Sequence, residues 1–392
     1  MYGPIHYSKG SRARRARPIR SWFFASIGVA LTLAAASDAW AGPAHRARIT
    51  RANVAAALAA RSAPNFTCHI LPPSTGVPAD NGLPACQMPG VVPGLQPMVM
   101  NPPSTSEADA VTGAPWSPTD MTYQGGPTVQ SAQFFDFYLN CPTNDQTCWG
   151  NPEQFQTDLF ADSFPGFIHI TDQYTGSSGE NRYALGPAFA DFGSLISSGL
   201  CPVHNGINTC GLTATQAAVH AVLVAAFPGG GGGGYSNVYN LFFSQGLDVC
   251  MEDTFQNCYS PGGNHRFVFC AYHGSFDTTD ATGAPVHAVF NVEPFQDVPG
   301  CQNNFIVNSS LIDSTNSTLE HEVFELISDP DLNAWWDNLA AVIPGSGVVR
   351  ALQGNEIGDI CVQNFFGLVL NGNLYSSQLE YSTLSHACSA GP

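Results

Sequence analysis

Twelve cysteines are the strongest constraint on how this chain of 392 residues can fold. They are Cys68, Cys86, Cys141, Cys148, Cys201, Cys210, Cys250, Cys258, Cys270, Cys301, Cys361 and Cys388, an even set with no Cys-x-x-Cys pair. That spacing does not support a thiolate zinc knuckle. In an oxidising compartment such a set forms disulfides. Cys68/Cys86, Cys141/Cys148 and Cys201/Cys210 would close short loops, although sequence alone does not fix the pairing.

The N-terminal stretch supplies the compartment. Lys9, Arg12, Arg14, Arg15, Arg17 and Arg20 precede an apolar run of 15 residues from Trp22 to Ala36. Ala39-Trp40-Ala41 then offers a small-x-small cleavage pattern, so residues 1–41 read as a signal peptide with a mature start at Gly42. The run is shorter than the roughly 18–20 residues that span a bilayer, and no later stretch reads as a span. The expectation is a secreted, extracellular protein with no stable membrane span after cleavage; uncleaved anchoring is the alternative. Arg14-Arg15 is a weak twin-arginine pattern.

Charge is distributed unevenly. Beyond residue 61 only Arg182, Arg266 and Arg350 stand against 29 of the 30 Asp and Glu, a formal balance near −26. A surface of that sign repels phosphate backbones, so a nucleic-acid partner is not expected. It favours divalent metals or cationic partners, or serves solubility alone.

Residues 42–120 read as an arm. Its Ala-rich start, Arg46 to Arg61, suits a short helix or the start of a pro-segment. From 62 to 120 it is crowded with Pro, Ser, Gly and Asn, an irregular linker that Cys68 and Cys86 would staple. The main domain is 121–392. Strand patterns occur at 134–139, 238–243, 267–272, 286–292 and 365–370, with another before Cys388. Pro152 to Phe160 and Thr213 to Phe227 read as helices. Strands early and a chemistry-bearing helix late point to a mixed α/β or α+β layout. The six glycines Gly229 to Gly234 lack the Gly-Lys-Ser/Thr ending of a phosphate loop and read as a mobile loop.

The segment Ser314 to Pro330 carries the chemistry. Asn316, Ser317 and Thr318 offer caps, Leu319, Val323, Phe324 and Ile327 make one apolar face, and Pro330 ends a helix of about 316–328. His321 and Glu325 are four apart and can converge on one ion, while Glu322 can reach a water on that ion. This is the geometry of the His-Glu-x-x-His zinc-hydrolase helix with glutamate for the second histidine, and zinc accepts that exchange. A solvated charged face is the plainer reading of the same string. Glu356 and Asp359, in Gly354-Asn355-Glu356-Ile357-Gly358-Asp359-Ile360-Cys361, are candidates for a third ligand; Asp329 is nearer in the chain. There is no Gly-x-Ser-x-Gly elbow for a serine nucleophile. His287 reads as structural, and His273 reads equally as a site residue or a buried, hydrogen-bonded histidine.

Four stretches together resemble the phosphate-induced (EXORDIUM-like) protein family and its secreted bacterial and fungal relatives. They are Gln124-Gly125-Gly126-Pro127 leading into the aromatic strand, Phe269-Cys270-Ala271-Tyr272-His273, His321 to Glu325 followed by Ser328-Asp329-Pro330 and Asn333-Ala334-Trp335, and Glu356-Ile357-Gly358-Asp359-Ile360-Cys361. The arm at 62–120 falls outside the match, and the segment between Trp336 and Glu356 is longer than the family's. The resemblance implies that the two carboxylate segments share one site in an extracellular protein; it does not by itself imply catalysis.

These readings lead to a zincin-like fold, a twisted mixed sheet packed against an active-site helix. They place Zn2+ on His321 and Glu325 with Glu356 as preferred third ligand and Asp359 beside it or in its place. Glu322 is the general base of a hydrolase acting on an extracellular protein or peptide. The alternative is a non-catalytic extracellular or cell-wall protein with a structural metal, zinc or Ca2+.

Overall fold

The aromatic run ending at Leu139 has no polar face to offer water, so it requires a sheet covered on both sides. In the computed structural model the strand β1 (Ala132–Leu139) lies in the middle of an eight-stranded mixed sheet. The structure describes residues 121–259, 269–337, 356–362 and 364–392, with backbone only for 47–48, 95–98, 340–342 and 349–351. The expected signal peptide (1–41), nearly all of the 42–120 arm and the Cys68/Cys86 pair lie outside the described residues.

After β1 the sheet takes β2 (Phe189–Asp191), β3 (Asn237–Phe243), β4 (Ala271–Thr279) and β5 (Pro285–Glu293). Its order is Ala47–Arg48, β2, β1, β3, β5, β4, Leu95–Met98, and Tyr183–Leu185 also pairs with β1. Strands β2, β1, β3 and β5 are mutually parallel, and β4 returns antiparallel to β5. The expected strand at 267–272 is displaced: β4 runs through His273 to Thr279, and its polar residues are admitted by hairpin pairing with β5 from Tyr272↔Val292 to Thr279↔Pro285.

Alternation along the strands divides the core in two. Phe135, Phe137, Leu139, Tyr239 and Leu241 pack with Ala218, Val219 and Val222 of a helix at Leu212–Ala226. Phe134, Tyr138, Val238 and Phe242 face the other way, toward Phe155 and Leu159 of a helix at Pro152–Phe160 and toward Leu319, Val323 and Phe324. We label these helices α1 (Pro152–Phe160), α2 (Leu212–Ala226) and α3 (Ser310–Ser328).

Helix α3 spans 19 residues and begins six positions before the expected start. Its cap is Ser309, whose Oγ accepts from Ile312 N at 3.3 Å, and Asp313 in the first turn accepts from Val307 N and Asn308 N. Asn316, Ser317 and Thr318 are therefore interior residues, fully buried. The polar side of α3 does not meet solvent. It faces the sheet and a C-terminal hairpin of β6 (Phe365–Leu370) and β7 (Asn373–Gln378), followed by β8 (Glu380–Ser382).

Among the described residues five disulfides tie the loops: Cys141–Cys148, Cys201–Cys210, Cys250–Cys258, Cys270–Cys301 and Cys361–Cys388. No helix among the described residues is long and apolar enough to cross a membrane. The glycine run is held in place rather than loose. Gly231 N donates to Asp280 at 2.6 Å, Gly234 N to His287 O at 2.7 Å, and Tyr239 Oη donates to Gly232 O at 2.5 Å. A β-carbon at Gly233 would lie 2.5 Å from that of Val286, so this close approach requires glycine.

One row interrupts the apolar interior. Asp136, Asn240, Asn291 and His273 are consecutive cross-strand partners, all fully buried. Asn240 Nδ2 donates to Asp136 Oδ1 at 2.9 Å and Asn291 Nδ2 to Asn240 Oδ1 at 2.9 Å. Gln156 and Tyr138 donate to Asp136 Oδ2. Burial outweighs these donors and raises Asp136 from 3.8 to about 7.

The folded chain therefore keeps a proton between about pH 4 and 7 that the unfolded chain has lost, so stability falls as pH rises through that window and levels off above it. Asp136→Asn cannot ionise and keeps an acceptor for Asn240. Its stability relative to wild type should improve from pH 4 to pH 8 by up to about 4 kcal/mol. Urea unfolding midpoints of both chains across that range test this, and parallel profiles would rule it out.

Candidate metal centre

Side chains from four segments meet at the C-terminal half of α3. The helix contributes His321, Glu322 and Glu325, β4 contributes His273, the turn at 356–361 contributes Glu356 and Asp359, and β7 ends on Gln378. The stretches that carry the family resemblance lie together here. Gly126 N donates to Asn333 O at 2.8 Å and Gln124 N to Ala334 O at 2.6 Å, just beyond the helix end.

Helical spacing brings His321 and Glu325 to one side, with Nε2 and Oε1 3.0 Å apart and no hydrogen bond from that nitrogen among the described residues. Asp359 Oδ1 lies 3.8 Å from the same nitrogen, and Asp359 N donates to Glu325 Oε1 at 3.1 Å. Gln378 places its amide nitrogen 3.1 Å from His321 Nδ1 and donates to Gly358 O at 2.8 Å, fixing the ring against the turn. Ligand atoms around a tetrahedral zinc bonded at about 2.0–2.2 Å lie roughly 3.3–3.6 Å apart. The observed separations bracket that value.

His273 stands on the other side of Glu325. Its Nδ1 is 3.1 Å from Glu322 Oε2 and 3.6 Å from Glu325 Oε2. Its Nε2 is 3.3 Å from the carbonyl of Asp329 and 3.7 Å from Glu356 Oε1. Two ligand groups result, His321/Glu325/Asp359 and His273/Glu322/Glu325, each with its ligand atoms within 4.8 Å of one another. In a third group, Asp248/Cys250/Cys258, the two cysteines are bonded to each other, which leaves a single ligand.

The electrostatics are one-sided. Glu320, Glu322, Glu325, Asp329, Glu356 and Glu380 are all at most 2% exposed. Arg182 is the one arginine whose side chain is among the described residues, and it pairs with Asp172. Burial pushes Glu325, Glu356 and Glu380 well above the usual carboxylate range, Asp329 to about 8 and Glu320 to about 7. Burial also lowers both imidazoles, His273 to about 3. A buried carboxylate without a cation costs several kcal/mol, so this pocket requires protons or bound cations. Glu356 makes the point directly, since neither of its oxygens has a hydrogen-bond partner among the described residues.

All of His321, Glu322, Glu325, Glu356 and Asp359 gather in this pocket. Asp359 is the one beside His321, Glu356 lies against His273, and Glu322 points to His273 rather than to His321. Asp329 holds the chain beyond the helix, accepting from Asn333 N and Ala334 N. Glu320, Gln378 and Glu380 are not singled out by the sequence: Glu320 lies within the helix segment but outside the His-Glu-x-x-Glu string, and Gln378 and Glu380 have surroundings with no metal-site pattern.

A β-carbon at Gly358 would fall 2.5 Å from His321 Nδ1. The buried ring has no room to retreat, so Gly358→Ala should cost about 1–3 kcal/mol and weaken metal binding at His321. Denaturant unfolding with and without chelator checks both effects; an unchanged midpoint and metal content would refute them.

Comparison with protein-family models, with curated proteins and with solved structures finds no match for this chain.

Proposed function

We propose that the protein is a secreted, zinc-dependent hydrolase of the peptidase type with a zincin-like active-site helix. The observation that carries this reading is the buried His321–Glu325 pair, set at helical spacing against Asp359 in a carboxylate pocket that no described cationic side chain neutralises. Histidine nitrogen with carboxylate oxygens is a donor set suited to zinc. The disulfides and the leader-like N-terminus support secretion. The resemblance to EXORDIUM-like proteins supports an extracellular role.

His321, Glu325 and Asp359 would hold the ion, which supplies Lewis acidity toward water and a substrate carbonyl. Glu322, which follows the first ligand in the chain, would serve as the acceptor for a water proton. His273 Nδ1 stands beside it, 3.1 Å from Glu322 Oε2. Asp359 marks the side from which a substrate would approach, because its side chain is 15% exposed while His321 and Glu325 are 0% exposed.

The same burial favours a second reading, a structural metal in a non-catalytic extracellular protein. Zinc should co-purify with the wild-type chain, and His321→Ala should lose the ion held at that residue. Glu322→Gln should keep zinc at His321 while turnover of a peptide library falls at least about 100-fold. If chelation lowers the melting temperature and no peptide is cleaved, the structural reading replaces the hydrolase. A wild-type chain without metal removes both.

A further inference from the structure

Glu325 turns its two oxygens toward different imidazoles. Oε1 is 3.0 Å from His321 Nε2 and Oε2 is 3.6 Å from His273 Nδ1. Glu325 belongs to both ligand groups, and among the described residues the two histidines share no such group. A single ion therefore does not satisfy both. Among the described residues, Oε2 of Glu325 and both oxygens of Glu356 lack hydrogen-bond partners although these two glutamates are 0% and 2% exposed.

His273 is oriented as a ligand would be. With its proton on Nε2, donated to the Asp329 carbonyl 3.3 Å away, the Nδ1 lone pair would face Glu322 and Glu325. A backbone carbonyl on the far nitrogen is the usual orienting partner of a metal-bound histidine.

We infer that the centre takes two divalent transition-metal cations bridged by Glu325, one with His321 and Asp359 and the other with His273 and Glu322. This rests on the metal reading above and extends it: in the two-ion state Glu322 is a ligand, and its role as general base belongs to the single-ion state. Mixed nitrogen and carboxylate donors in sets of three suit zinc or manganese rather than calcium, which takes six to eight oxygens. A carboxylate bridge holds two such ions about 3.5–4 Å apart, a spacing that two-metal hydrolases use.

The test is titration of the chelator-stripped full-length chain with Zn2+ alone, read by calorimetry and by metal content after desalting. Two zinc ions per chain are expected in wild type and one each in His273→Ala and His321→Ala, with both sites weakened at least 10-fold in Glu325→Gln. Titration of the wild type with Mn2+ needs no variant to fold, and an exchange-coupled electron paramagnetic resonance spectrum at two equivalents is expected. One zinc per wild-type chain, with uncoupled manganese, overturns the second site and leaves the single-metal hydrolase standing. Binding of no metal overturns both.

Discussion

The structure depends on keeping a group of carboxylates out of water around one helix. Glu320, Glu322 and Glu325 come from α3, Asp329 from its end, and Glu356 and Glu380 from the C-terminal segments, and each is at most 2% exposed. Burial of ionised oxygens opposes folding unless each gains a partner. The surrounding architecture reads as a set of such partners: Ser377 Oγ and Gln378 N donate to Glu320, and Asp359 N donates to Glu325. Two disulfides hold the contributing segments, Cys270–Cys301 just before His273 and Cys361–Cys388 just after Asp359. What these donors do not balance is the charge, and that remainder is the case for bound cations.

The polar row across the sheet connects this centre to the choice of strand register. His273, Asn291, Asn240 and Asp136 are partners on four adjacent strands, and the row ends beside Glu322. A slip of one residue in any pairing would turn a polar side chain of the row to the opposite, apolar face. Hydrophobic strands alone tolerate alternative pairings, whereas a hydrogen-bonded row does not. The register that satisfies Asp136 is therefore the register that delivers His273 to the centre.

Much of this was legible in the sequence where one local rule operates. The bounds of α1 follow from Pro152 at its first position, and β1 follows from its aromatic run. The His321–Glu325 pair follows from helical periodicity. The start of α3 was misplaced because Asn316, Ser317 and Thr318 look like caps, and only their burial against the sheet and hairpin shows otherwise. The glycine run looked loose because its partners, Asp280 and His287, are remote in the chain. Gln378 could not be foreseen for the same reason, since it lies 57 residues from His321. His273 had a signal in its Phe-Cys-Ala-Tyr-His surroundings, but periodicity could not tell a ligand from a core histidine.

The exchange of histidine for glutamate at position 325 has a geometric consequence. A histidine there would present one coordinating nitrogen and could serve one ion. A glutamate presents two oxygens, and here they diverge toward two buried imidazoles. The same exchange removes a neutral ligand and adds a negative charge, which raises the amount of positive charge the pocket can hold. A second histidine, His273, stands where that extra capacity is located, with its far nitrogen turned to a backbone carbonyl. Read only along the helix, Glu325 weakens the zinc-hydrolase pattern. Read together with β4, it is the residue that turns one oxygen to each of two buried imidazoles.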